Sequence, residues 1–199
     1  MESVVEQKHQ ISVAASLRQA TQDLHRELDN HSLVKALLQP SVCNESYRLL
    51  LQGFQRAYQI LEPALIATEL SFEHVPTPPY IPRLPALATE LHHHSFTPPD
   101  VGIVAPMTMN AYWGTRYVLD GSCHGAAILL PRFRKQLNLS KITAFNYWQQ
   151  LADLHAHWPM IIERLQQRGN SPCDIAEMSF AAQNTFKHFI KALITEHAA

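Results

Sequence analysis

The chain has 199 residues, 46% of them hydrophobic and 17% charged, which suits one domain around a single sizeable core and argues against disorder. Lys and Arg total 16 against 17 Asp and Glu, leaving a net charge of -1, so no bulk electrostatic drive toward nucleic acid or an anionic membrane exists. Cys43, Cys123 and Cys173 are scattered and form no C-x-x-C, which excludes a disulfide framework, and the absence of a basic, apolar leader or an apolar run of about 18 residues predicts a cytoplasmic chain without membrane insertion.

Only 6 glycines accompany 13 prolines, a balance that predicts an all-α domain of long helices with proline-marked joints. The domain is expected to span residues 1–199, with 1–13 as a flexible N-terminal arm. Ser16-Leu17-Arg18-Gln19 is a capping-box pattern that starts a first helix. Leu17, Ala20, Thr21, Leu24 and Leu28 then mark its buried stripe to an end near Asp29 and Asn30. A short helix covers Ser32 to Leu38 and stops before Pro40. Asn44 caps a third helix through Tyr47, Leu50, Leu51, Phe54, Tyr58 and Leu61, and Pro63 either kinks it or begins its continuation to about Phe72.

Residues 75 to 106 form a connecting region, bracketed by Pro76, Pro78, Pro79, Pro82, Pro85, Pro98, Pro99 and Pro106. One helix, Arg83 to His94, is expected within it. His92, His93 and His94 project about 100° apart on such a helix, which makes them a solvated helix end. Helix resumes near Thr108 and runs to about Gln136, interrupted by glycines. Another covers about Thr143 to Arg168, with a bend at Pro159. Gly169-Asn170 ends it, and Ser171-Pro172 launches the last helix to about Glu196.

Twelve histidines direct attention to metal or haem chemistry. Arg18 and His25 lie seven apart on one helix face, about 10.5 Å along the axis at 1.5 Å per residue. That pairing suits a ligand with a metal at its centre and anionic groups at its rim. Asp29, one turn beyond His25, can orient the other ring nitrogen. A surface histidine beside an unrelated arginine fits the same spacing. The second feature is Tyr117-Val-Leu-Asp-Gly121-Ser122-Cys123-His124-Gly125-Ala126-Ala127. Each interior glycine of a helix costs about 1 kcal/mol against alanine, so Gly121 and Gly125 require a compensating gain. Close helix contact supplies one, and a bend that brings backbone up to a flat ligand supplies another.

Leu17-Arg18-x-x-Thr21-x-x-x-His25-x-x-x-Asp29 resembles the opening motif of haem oxygenases, and Tyr117-Val118-Leu119-Asp120-Gly121-Ser122-x-x-Gly125-Ala126-Ala127 is similar to the distal helix of their bacterial members. The likeness of helix pattern extends over about residues 14 to 195. The resemblance implies a single-domain helical bundle with haem b between a proximal helix and a distal helix kinked at Gly121 and Gly125. It implies His25 as the iron ligand, Asp29 as its hydrogen-bond partner, and Arg18 and Tyr117 on the haem propionates. Gly121, Ser122 and Gly125 would shape the oxygen side. The implied reaction consumes O2 and electrons from an external donor such as a ferredoxin, flavodoxin or other reductase, and yields biliverdin, CO and ferrous iron.

Three features depart from that pattern. His124 stands where the family has an apolar residue, about 60° to 100° from the glycine face, and would block O2 if it reached the iron. Asp120 replaces a glutamate. Tyr147 to Trp158 contains no Lys or Arg but does contain His155 and His157. Two other readings use the same residues: a haem carrier without turnover, and a non-haem di-iron protein. The second would draw on Asp120 and His124 with Glu45, Glu69, Glu73, His74 or His155. Tyr112, Trp113, Trp148 and Trp158 are expected in the core or lining a pocket. Arg132, Arg134 and Lys135 form either a solvated helix end or a patch for an acidic electron donor.

Overall fold

The computed structural model describes residues 12–40, 42–71, 78–91, 105–135 and 145–194. Every regular element among them is helical. In chain order these are α1 (Val13–Asn30), α2 (Ser32–Ala36), α3 (Asn44–Ser71), α4 (Leu84–Glu90), α5 (Met109–Gly121), α6 (Cys123–Lys135), α7 (Asn146–Asp153), a 3-10 turn (Leu154–His157), α8 (Trp158–Arg168) and α9 (Pro172–Ile194). The expected all-α class is what the chain forms.

Several boundaries differ from the sequence expectation for local reasons. The first helix starts one turn earlier than the capping box at Ser16, because Ser12 Oγ accepts from Ala15 N–H at 3.4 Å and Val13 is fully buried. Val13 N–H also donates to Gln166 Oε1 at 3.1 Å, so the arm expected over 1–13 is anchored by its last residue. Pro63 leaves α3 continuous. The helix expected over Thr143 to Arg168 is three pieces, since Pro159 lies in the first turn of α8 and cannot continue a helix that precedes it. Ser171 caps α9 as expected, its Oγ accepting from Asp174 N–H at 3.1 Å. The expected ends at Phe72, His94, Gln136, Thr143 and Glu196, the trio His92–His94, and Pro76, Pro98 and Pro99 lie outside the described residues.

α9 is the organising element. It packs along α5, α1 and α3, whereas α1 and α5 do not pack closely against each other. The tightest point is Gly114, where an added Cβ would come within 2.2 Å of the Met178 carbonyl oxygen. Close helix contact through a glycine therefore occurs two to three turns before the glycines singled out for it. Gln183 Nε2 ties α9 to α1 by donating to the Ala20 carbonyl at 2.9 Å.

A buried polar cluster fixes α5 from its other side. Asp120 accepts from Arg116 Nε at 2.7 Å and from the Arg83 guanidinium, and all three side chains are almost wholly removed from solvent. Arg116 also donates to the Pro78 carbonyl at 2.7 Å and to Tyr112 Oη at 2.8 Å. Glu62 accepts from Tyr80 Oη at 2.7 Å and from the backbone of Arg83 and Leu84. Burial holds its carboxyl above the usual carboxylate range. Arg83 Nε and Nη1 have no hydrogen-bond partner, but the guanidinium lies 4.6 Å from the Tyr80 ring centroid, where the ring's π face offsets part of the lost hydration.

These contacts assign opposite outcomes to two glycines. Gly114→Ala forces the α5–α9 backbones apart and is expected to cost about 1–3 kcal/mol or more in urea unfolding. Gly125→Ala meets nothing within 4 Å and is expected to be neutral or to stabilise by up to about 1 kcal/mol through helix propensity.

Candidate functional site

The predicted residues distribute over two walls. On α1, Arg18, His25 and Asp29 are exposed. His25 Nδ1 lies 2.8 Å from Asp29 Oδ2. A carboxylate accepts only from a protonated nitrogen, so Nδ1 carries the hydrogen, and in the neutral ring Nε2 is the nitrogen left with a lone pair. The His25 ring packs against Phe186 of α9, with centroids 5.5 Å apart at 59°, while its side chain remains 62% exposed. Phe186 had no signal in the sequence, because its partner is 161 positions away in the chain.

The opposite wall is the α5–α6 rod. The rod is interrupted at the single residue Ser122, between Gly121 at the end of α5 and Cys123 at the start of α6, while Gly125 lies inside α6. Ser122 Oγ donates back to the Leu119 carbonyl at 2.5 Å, so its hydroxyl hydrogen is engaged within the bend. Gly125 faces open space, whereas a Cβ on Gly121 would meet the Trp158 ring at 3.3 Å. Gly121 thus accommodates an aromatic ring of α8, which also packs on Tyr117 at 5.8 Å between centroids. Tyr117 is half-buried, and that burial raises its phenol pKa, partly offset by the positive charge of Arg18. This coupling brings Arg18 of α1 and Tyr117 of α5 into one electrostatic neighbourhood across the two walls.

A ligand trough between these walls would have α9, on which both α1 and α5 pack, as its floor and Trp158 at one side. Its inventory fits a flat, anionic, metal-centred ligand: an imidazole with a free nitrogen, a guanidinium, a protonated phenol, and a helix bend without bulky side chains. A separate crevice of about 430 Å³, lined by Ile81, Asn146, Gln150, Asp153 and His157 among others, includes none of these residues.

The di-iron ligand set does not assemble. Asp120 is committed to Arg83 and Arg116 inside the core, and Glu45 pairs on the surface with Arg48 at 2.7 Å. Glu69 accepts from Tyr80 N–H at 2.6 Å and from Tyr112. Glu73 and His74 lie outside the described residues, and among those described no group of three or more metal-ligating side chains occurs. His124 projects toward the segment before α8, its ring 5.2 Å from His155 and 5.1 Å from Trp158, edge-on to both. Tyr112, Trp113 and Trp148 are buried as expected. Arg132, Arg134 and Lys135 are exposed, with Arg134 donating to Gln149 Oε1 at 2.6 Å.

A family model described as heme oxygenase matches residues 11–195. No curated protein matches the chain. Among solved structures, the NO- and CO-bound heme oxygenase from Neisseria meningitidis is 23% identical, with a TM-score of 0.68 over 93% of this chain and 92% of that one. Heme oxygenase-1 from the cyanobacterium Synechocystis, solved in complex with heme, is 16% identical, with a TM-score of 0.66 over 94% and 93%. Heme oxygenase from Leptospira interrogans is also 16% identical, with a TM-score of 0.65 over 92% and 98%. At these identities the structural likeness establishes the fold.

The His124–His155 contact has a pH signature. Burial first, and the His155 charge second, lower the His124 pKa, so the folded chain keeps this imidazole neutral to lower pH than free histidine and loses stability through it as pH falls. His155→Ala is expected to raise the His124 midpoint in an NMR titration.

Proposed function

The chain belongs to the haem oxygenase family, and we propose that it holds its substrate between α1 and the α5–α6 rod with His25 as the axial ligand of the iron. It is a haem-degrading enzyme, forming biliverdin, CO and ferrous iron from haem with O2 and reducing equivalents. Bound haem b supplies both the iron that activates oxygen and the ring that is opened. The observation that carries the assignment of residues is the pairing of His25 Nδ1 with Asp29 at 2.8 Å. It favours the tautomer in which Nε2 ligates and orients the ring toward its ligand.

The remaining residues take roles that follow from their chemistry. Arg18 offers a charge-assisted hydrogen bond to a propionate. Tyr117, its phenol held protonated by burial, donates to the same rim. On the opposite face, Gly125 leaves the backbone of α6 open to approach. Gly121 lets Trp158 close the side of the trough rather than project into it. Ser122, with its hydrogen directed to the Leu119 carbonyl, presents a lone pair that can hold an ordered water near the oxygen side. His124, its ring turned to His155 and Trp158, would take no part in holding the iron. Arg132, Arg134 and Lys135 at the end of α6 suit a ferredoxin, a flavodoxin or another acidic reductase as the external donor.

Haemin titration tests the assignment. One equivalent is expected to give a histidine-ligated Soret spectrum. His25→Ala should lose that signature while remaining folded by circular dichroism, and free imidazole should restore it. Arg18→Ala with Tyr117→Phe is expected to weaken haem affinity at least about tenfold, the loss of roughly 1.4 kcal/mol or more from a charged hydrogen bond. An unchanged ferric spectrum in His25→Ala would remove the axial role.

A further inference from the structure

Haem b carries different substituents around its edge, so its meso bridges are chemically distinct, and the bridge that is opened depends on how the ring is rotated about an iron held by His25. A residue that limits this rotation must touch both a rim anchor and the distal wall. Trp158 does so. It opens α8, directly after the 3-10 turn that ends at His157, and its side chain is half-buried. Its ring lies 5.8 Å from that of Tyr117, tilted by 42°, and 5.1 Å from that of His124, edge-on at 86°. Between them stands Gly121, where an added Cβ would meet indole Cη2 at 3.3 Å and Cζ3 at 3.5 Å. Tyr117, Gly121 and His124 are spaced four and three apart, the separation of neighbours on one helix face. Ser122 keeps right-handed helical angles, and its carbonyl accepts from Ala126 N–H at 3.0 Å, so that face runs on from α5 into α6. The indole therefore lies along a stripe of the distal rod, with its far edge in the notch at Gly121. The two glycines differ in consequence: protein fills the space at Gly121, and nothing lies within 4 Å of a Cβ on Gly125.

We propose that Trp158 is a specificity-determining residue for haem cleavage: seated on Gly121 and braced by Tyr117 and His124, its indole sets the in-plane rotation of the ring and thereby the meso bridge that is opened. This rests on the haem site proposed above. Two effects act through the same side chain. The indole bulk stops the ring from sliding along the rod past Gly121, which leaves the approach at Gly125. Packing on Tyr117 also fixes where the phenol that meets a propionate stands. Tryptophan suits this task because it presents a large, rigid contact surface at little cost in conformational entropy.

Trp158→Ala and Trp158→Phe, studied as haem complexes of the full chain, test the assignment by two readouts. One is the set of biliverdin isomers after a single turnover. The other is the pattern of haem-methyl NMR resonances in the ferric cyanide complex, which reports ring rotation without turnover. In Trp158→Ala the share of isomers other than the main one of the unsubstituted chain should rise at least threefold. The methyl pattern should change with it, the histidine-ligated Soret band should remain, and Trp158→Phe should fall between. A Trp158→Ala protein that is less stable in urea but unchanged in both readouts assigns the indole a packing role and overturns the proposal. If the alanine variant loses its helical circular dichroism, Trp158→Phe decides by the same readouts. Absence of a histidine-ligated Soret band in the unsubstituted chain would instead remove the haem site, and this proposal with it.

Discussion

One helix sets the width of the site. α9 carries both walls, meeting α5 at Gly114 through the Met178 backbone and meeting α1 through Gln183 and Phe186. Since α1 and α5 do not pack closely on each other, their separation is defined by what each does with this shared floor. Core packing tolerates little displacement, so the spacing between His25 and the distal bend is a property of the whole bundle. Phe186 is nearly buried, yet its ring packs on the His25 imidazole.

Rotation of the distal helix is fixed separately, by charge. Arg116 and Asp120 are four apart and share a core-facing stripe, where Arg83 joins them. Tyr117 and Gly121 follow each by one residue and are therefore turned about 100° away, toward Trp158 and α1. Turning α5 to present the wrong face would uncouple three buried charges, a costly event in a medium of low dielectric. The acidic residue of the distal motif thus acts through helix orientation, and the glycines beside it face outward because it faces inward.

Much of this was legible in the sequence where the signal was local. The helix class, the cap at Ser171, the break near Gly121 and the His25–Asp29 spacing all depend on residues within a turn or two of each other. What was not legible depends on distant partners. Nothing in the spacing of Gly114 announces Met178, and Arg83 gives no sign that its counter-ion is Asp120, 37 residues on. The spacing of Gly121 left helix contact and ligand approach both open, and only the fold shows that its missing side chain admits Trp158. Pro159 was visible, but its effect was misjudged: at the start of α8 it terminates the preceding turn, and so frees His155 to meet His124.

The proposed chemistry requires haem to be bound and opened between these two walls. Aerobic incubation of the one-to-one haem complex with ascorbate, followed by chromatography of the pigment, tests it most directly. Decay of the Soret band with stoichiometric appearance of a biliverdin isomer is the predicted result. A haem spectrum that persists under reductant and air, or one that bleaches with no bilin formed, would contradict it.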